Sequence, residues 1–236
     1  EFVENLKKLN PDYIVVIAYW RIIPKAILDI PILWPINFHT SILPKYRWAS
    51  PIQSAVLNWE CKTWATIMFM DEKMDEWDII KIMEYKLSFD TTCQDATNIV
   101  SQKWPKFLAD ALRDLGKWHL KRTCQEHPEA TYCKKIEKEE WQINIFEDKL
   151  EDIWNRYKAF FIRPKIHFIT DENFKNIWQR IIIDELSLDE NSFQENKDKA
   201  LFDENLNINK AIKTMKVKPQ WKGSMDIKSF LNWYRK

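Results

Sequence analysis

Residues 35–80, PINFHTSILPKYRWASPIQSAVLNWECKTWATIMFMDEKMDEWDII, decide the fold. PINFHTS is a short apolar run closing on polar residues, the pattern of a buried strand. SPIQSAVLNW reads as a helix that stops at Asn58-Trp59. WATIMFMDE and WDIIKIMEYKL then read as strands flanking the loop KMDEW. Upstream, PDYIVVIAY is continuous and β-branched, which suits a strand buried on both faces of a parallel sheet, and IPKAILDIP is a short helix. Downstream, Ile99, Val100, Phe107, Leu108, Ala111 and Leu112 recur at helical spacing between Thr91 and Leu115, with Thr91 or Thr92 able to cap. The alternation predicts an α/β domain.

The character changes after Gly116. KWHLKRTCQEHPEATYC is polar and without period, so it reads as a linker. LEDIWNRYKAFF is an amphipathic helix, and KIHFIT and RIIIDELSL are short strands, a pattern that fits a small β-barrel with a packed helix. DENSFQENKDKALFDEN, part of an acidic 184–205 segment, reads as a solvated loop. The tail NKAIKTMKVKPQWKG carries five lysines without an intervening acid: a solvated face, or a strand that contacts phosphates.

The chain has 236 residues, 45% of them apolar and 14% aromatic, enough to bury a core in one large or two modest domains. A net charge of +1 does not indicate a bulk polycation. No apolar run reaches the roughly 18 residues that argue for a membrane span. The opening EFVENLKKLNPD lacks the pattern of a secretory leader and an initiator Met, so a fragment missing its N-terminal part is expected. Cys61, Cys93, Cys124 and Cys133 have no C-x-x-C spacing and no His at metal-ligand spacing, which predicts reduced thiols in a cytoplasm and no metal.

Glycine and tryptophan are the anomaly. Ordinary usage would give roughly 17 glycines in this length, but there are 2, against 13 tryptophans. Without glycine, turns and close backbone approaches that need positive φ become costly. Most of the tryptophans are therefore expected to stand where the natural protein has glycine. Conceptual translation that reads UGA as Trp, for a lineage that reads it as Gly, would print them there.

The 35–80 stretch resembles the methionyl-tRNA formyltransferases, whose pattern runs approximately Asn-x-His-x-Ser-Leu-Leu-Pro-x-Tyr/Trp-Arg-Gly-Ala-x-Pro-Ile-Gln, then Gly-x-Thr, then Met-Asp-x-Gly-Leu-Asp-x-Gly-Asp. Trp48, Trp59, Trp64 and Trp77 fall at glycine positions of that family, whereas Trp154 does not and Trp118 is the least certain. The likeness extends to AYWRIIPKAIL, ATYCKKIEKEEWQI and WKGSMDIKSFLNWYR. Lys73 and Lys165 depart from it: Lys73 occupies a usual glycine, and Lys165 stands where Pro-Gly is common. The resemblance implies a Rossmann-like formyltransferase domain at 1–117, lacking its N-terminal part, a linker at 118–131 and an OB-like tRNA-binding barrel at 132–236. It implies transfer of the formyl group of 10-formyltetrahydrofolate to the α-amine of initiator Met-tRNA by a cytoplasmic monomer. The alternatives are another folate-dependent amine formyltransferase, acting on a sugar nucleotide or glycinamide ribonucleotide, or an inactive tRNA-binding relative.

Formyl transfer develops charge on an oxyanion, so the site needs donors aimed at that oxygen and a group to manage protons. Asn37 and His39, two apart on one strand, project to the same side. Asp78 is the carboxylate expected to orient His39 and help remove the amine proton. Asp71 and Asp75 are expected only to form the turn. By the resemblance, Ser41, Ile42, Leu43 and Pro44 line the folate site, Leu43-Pro44 in a cis peptide, and Arg21-Ile22-Ile23 wall it. Arg47 would contact the tRNA end or the Met moiety, or form a structural ion pair. The stripe from Lys210 to Lys222 would hold tRNA phosphates, and His119, His127 and His167 would lie at the surface.

Overall fold

A computed structural model describes residues 1–19, 21–117 and 122–235, and divides the chain into two units. The first holds residues 1–55, 60–88 and 95–135; the second holds 56–59, 89–94 and 136–236.

The chain opens on α1 (Phe2–Leu9), where the sequence predicts no element, and α1 ends on Asn10 in the left-handed region at φ 45. Then follow β1 (Tyr13–Ile17), α2 (Lys25–Leu28), β2 (Trp34–His39), β3 (Arg47–Trp48), α3 (Pro51–Leu57), β4 (Lys62–Phe69), β5 (Ile79–Lys86) and α4 (Cys93–Gly116). Every helix and strand read from these segments forms. The main sheet has the order β1-β2-β4-β5. β1 and β2 are parallel, as their unbroken apolar runs predict, but β1 lies at the sheet edge with no buried residue rather than buried on both faces, and β4 lies antiparallel to both β2 and β5. Residues 70–78, which join β4 to β5, are too few for the crossover of a dozen or more residues that parallel pairing needs. Ile36, Ala65, Ile67, Met68 and Phe69 are buried on this sheet.

The polar stretch after α4 is not a free linker. Thr123 exchanges backbone hydrogen bonds with Ile79, 2.8 and 3.0 Å long. Beyond a 3-10 turn at His127–Glu129, β6 (Tyr132–Cys133) pairs in parallel with β3. Both contacts are backbone pairings, which depend little on side-chain identity and leave no apolar period in the sequence. The expected Trp118 and His119 lie outside the described residues.

The second unit contains a 3-10 turn (Lys138–Trp141), α5 (Leu150–Ala159), β7 (His167–Ile169), β8 (Arg180–Leu188), α6 (Glu190–Asn196), β9 (Ile212–Pro219), β10 (Met225–Asp226) and α7 (Ile227–Tyr234). Its sheet is antiparallel in the order β10-β9-β8-β7. The acidic segment is folded rather than a solvated loop. Asp189 caps α6 by accepting from the Ser192 amide at 2.9 Å, and Phe193, Leu201 and Phe202 are buried. Three apolar anchors spread through a polar stretch make no period, so the sequence hides them. His167 is also buried rather than at the surface; burial and the nearby Arg180 charge push it down to about 4.

Eleven non-glycine residues among those described have positive φ, and four of them are tryptophans: Trp48 (78°), Trp59 (54°), Trp178 (61°) and Trp221 (65°). For a residue with a Cβ the left-handed region costs roughly 1–2 kcal/mol. Lys165, at another usual glycine of the resemblance, has φ 59.

Candidate active site

β2 carries Asn37 and His39 on one side of its C-terminal end. The carboxylate that meets them belongs to Asp75, in the loop between β4 and β5, buried and at φ 58. Asn37 Nδ2 donates to Asp75 Oδ1 at 3.3 Å. His39 Nε2 lies 3.3 Å from Asp75 Oδ2, and that oxygen also accepts from the backbone N–H of Trp48 at 2.9 Å. Trp48 has positive φ, so a glycine-favouring position supplies one of the donors to this carboxylate. Burial pushes the Asp75 carboxyl up, but the His39 contact, the Trp48 amide and the Arg47 charge outweigh it and hold the group below the ordinary Asp value.

The hydrogen bonds of His39 define its roles. Ser41 Oγ donates its one proton to the Lys45 carbonyl at 2.8 Å, so at 2.9 Å from His39 Nδ1 it can only accept. Nδ1 is therefore the donor of that pair, and Nε2 is left to face the Asp75 carboxylate. An imidazole fixed in this way can take a proton and return it at one atom.

Asn37, His39 and Asp75 open on a cavity of about 620 Å³. Val16, Ile17, Ile22 and Ile23 give it an apolar wall, and Arg21, Asp71 and Glu72 add charge. Arg21, Ile22 and Ile23, expected to wall the folate site, line this cavity.

Four sequence expectations change or are narrowed. Asp78 does not join Asn37 and His39: it is absent from the cavity lining, its carbonyl accepts from the Phe69 amide at 3.1 Å, and its carboxylate raises the Cys124 thiol. Trp77 packs on the Leu43, Met68 and Ile79 cluster, and the next residue, just before β5, is not part of it. The turn-forming role assigned to Asp75 is thus incomplete. Ser41, Ile42, Leu43 and Pro44 are not among the residues that line this cavity: Ser41 and Leu43 are buried, Ser41 orients His39, and Leu43-Pro44 is cis. Of the two roles expected for Arg47, the structural ion pair is the one found: the side chain is fully buried, lies 3.6 Å from Glu76 and is held by Gln125.

Asp75 was harder to find because Met70 still donates to the Pro35 carbonyl. The loop leaves beside the start of β2 and must double back over Asn37 and His39, a path no local pattern encodes. Among the described residues no group of three or more His, Cys, Asp and Glu could hold a metal ion, and no helix is long and apolar enough to cross a membrane.

A mixed α/β sheet brings Asn37, His39 and Asp75 together at a strand end, and residues 1–112 match the model of the formyl transferase family. The relatives of the chain are methionyl-tRNA formyltransferases. That of Sulfurihydrogenibium sp. is 34% identical over 183 residues, covering 77% of this chain and 58% of the relative. That of Nitratiruptor sp. is 38% identical over 181 residues, covering 75% and 57%. The chain thus spans about three fifths of the length of these relatives. Among solved structures, methionyl-tRNA formyltransferase from Clostridium thermocellum shares the fold with TM-score 0.63 at 20% identity, over 92% of this chain and 82% of that one. HypX from Aquifex aeolicus, solved with tetrahydrofolic acid, shares it with TM-score 0.65 at 14% identity, over 97% of this chain and 40% of that one.

Proposed function

We propose that the chain is part of a methionyl-tRNA formyltransferase, which moves the formyl group of 10-formyltetrahydrofolate to the α-amine of initiator Met-tRNA. The observation that carries this is the convergence of Asn37, His39 and Asp75 on one cavity. Its apolar wall and facing polar groups suit a flat heteroaromatic ring with hydrogen-bonding edges, as a pterin has. The bound folate supplies an activated one-carbon unit.

The residues of the chain supply the rest. Asn37 uses one amide hydrogen on Asp75 and keeps a second for the formyl oxygen as charge develops there. His39 Nε2 manages the proton lost by the attacking amine, and Asp75 stabilises the ring while it is charged. Ser41 is a positioning residue that holds the ring by Nδ1. The second unit, read as an OB-like domain, would hold the tRNA. On β9, Lys216 and Lys218 are exposed and alternate with buried Met215, Val217 and Pro219, although Lys213 and Lys216 pair with Asp189 and Glu185. Such lysines fix position on phosphates without reading sequence. A cytoplasmic monomer is the assembly proposed.

The test is formylation of charged initiator tRNA by the whole protein. Asp75→Asn keeps the shape of the site but removes the charge, and turnover is expected to fall by about 10³-fold or more. Asp78→Asn is expected to stay within a few fold. The reverse ranking would overturn the assignment of Asp75.

A further inference from the structure

We propose that Gln125 is a positioning residue for Asp75, and that Arg47 fixes the Gln125 amide in the orientation that makes it one. Gln125 comes from the polar stretch that reads as a linker, and it is buried. Its Oε1 accepts from Arg47 Nη2 at 2.8 Å and from Nε at 3.3 Å. A guanidinium has only donors, so the oxygen of the amide must face it. Nε2 is left pointing at the loop, where its two hydrogens go to the backbone carbonyls of Asp75 at 3.0 Å and Trp77 at 2.6 Å. Every donor and acceptor of the Gln125 side chain is used, and all of them lie on the path from Arg47 to the acid of the site.

Arg47 is itself held in place. Nη2 also donates to His127 Nδ1 at 3.1 Å, Nη1 donates to the Tyr132 hydroxyl at 3.4 Å, and Glu76 lies 3.6 Å from Nη1. The next residue, Trp48, donates its amide to the Asp75 carboxylate. One strand thus grips Asp75 twice: directly at the side chain through the residue after Arg47, and at the backbone through Arg47 and Gln125. A residue at positive φ in a nine-residue connection, 70–78, needs such a grip, because nothing in its own loop sets the direction of the carboxylate. The inference rests on Asp75 being the acid of the transfer site.

Gln125→Glu in the whole protein is the decisive variant. It keeps the size of the side chain and its attraction to Arg47 but turns an oxygen toward two carbonyls. Turnover is expected to fall by about tenfold to a hundredfold, while KM for the formyl donor changes by less than about twofold. The Asp75 carboxyl, followed by carbon-13 NMR, is expected to titrate about one pH unit higher as its contacts with His39 and the Trp48 amide loosen. Arg47→Lys keeps a charge but loses the fork, and is expected to move both readouts in the same direction by less, which covers the case in which Gln125→Glu does not fold. Wild-type turnover with an unmoved Asp75 titration, in whichever variant folds, would overturn the proposal. A moved titration in a protein whose wild type transfers no formyl group would keep the positioning role and overturn the reading of the chemistry.

Discussion

Among the described residues each unit buries one long cation, and the two do so by different means. In the first, Arg47 is met by acceptors at every turn: Gln125, His127, Tyr132 and Glu76. In the second, Lys158 on α5 is buried with one oxygen partner, the Phe89 carbonyl at 3.1 Å, and otherwise faces rings. Its ammonium lies 4.1 Å from the centroid of Trp59, 5.6 Å from that of Trp154 and 5.9 Å from that of Phe89. Burial pushes Lys158 down to about 8, with the Asp90 charge acting the other way. A guanidinium with a full set of acceptors is a rigid part and serves to place other groups. An ammonium among rings is tolerated rather than used, because ring faces return only part of the hydration lost.

Replacing each cation by an unbranched apolar side chain sharpens this contrast most. Arg47→Met leaves Gln125 Oε1 buried without a donor and frees the amide to turn. Destabilisation of about 3 kcal/mol or more is expected. Lys158→Met fills much the same volume, abandons only one carbonyl, and is expected to be neutral or stabilising by about 1 kcal/mol. Urea titration at pH 7 measures both. Equal losses at the two sites would mean that the acceptors around Arg47 contribute no more than the rings around Lys158.

The pH dependence gives a smaller effect with a definite sign. The folded value of Lys158, about 8, lies below its ordinary 10.5, so the unfolded chain binds more protons between these limits. Stability must therefore rise with pH across that window. The gain is on the order of 2 kcal/mol, since ring contacts with the cation offset part of the burial term. Other groups titrate there too, so the quantity to measure is the difference between wild type and Lys158→Met at pH 7.5 and pH 10. A difference that does not change with pH would place Lys158 in water rather than among the rings.

What the sequence disclosed follows the same division. Asn37 and His39 were legible because both sit on one strand, where a period of two settles which side chains share a face. The α/β order of the first unit was legible because its apolar runs are unbroken. Asp75 was not, since its place depends on a loop returning over β2, and Gln125 was not, since it lies in a polar stretch fixed by backbone pairing to Ile79 and by a single guanidinium. The sequence points to Asp78 as the acid and to Asp75 only as a turn former; the packing of Trp77 on the Leu43, Met68 and Ile79 cluster is not visible in it. In the second unit α6 was hidden because its one buried ring, Phe193, has no apolar neighbour at helical spacing within the helix.

The tryptophans set the finest test, because position decides which of them act as glycine stand-ins. Trp59 has positive φ but also packs on Phe89 and Phe193, so replacing it removes contacts along with strain. Trp221 separates the two effects: it has φ 65 and is 93% exposed. Its indole buries almost nothing that folding could use, while its Cβ suffers the left-handed conformation. Trp221→Gly relieves that strain but makes the unfolded chain more flexible, which offsets roughly 0.4–1 kcal/mol. A net gain of about 0.5–1 kcal/mol is expected, read as a rise of a few degrees in melting temperature. Trp221→Ala is the control: it removes the indole but keeps the Cβ, and is expected to gain nothing. If alanine stabilises as much as glycine, exposure of the indole and not backbone conformation is the source of the cost, and the glycine reading fails at this position.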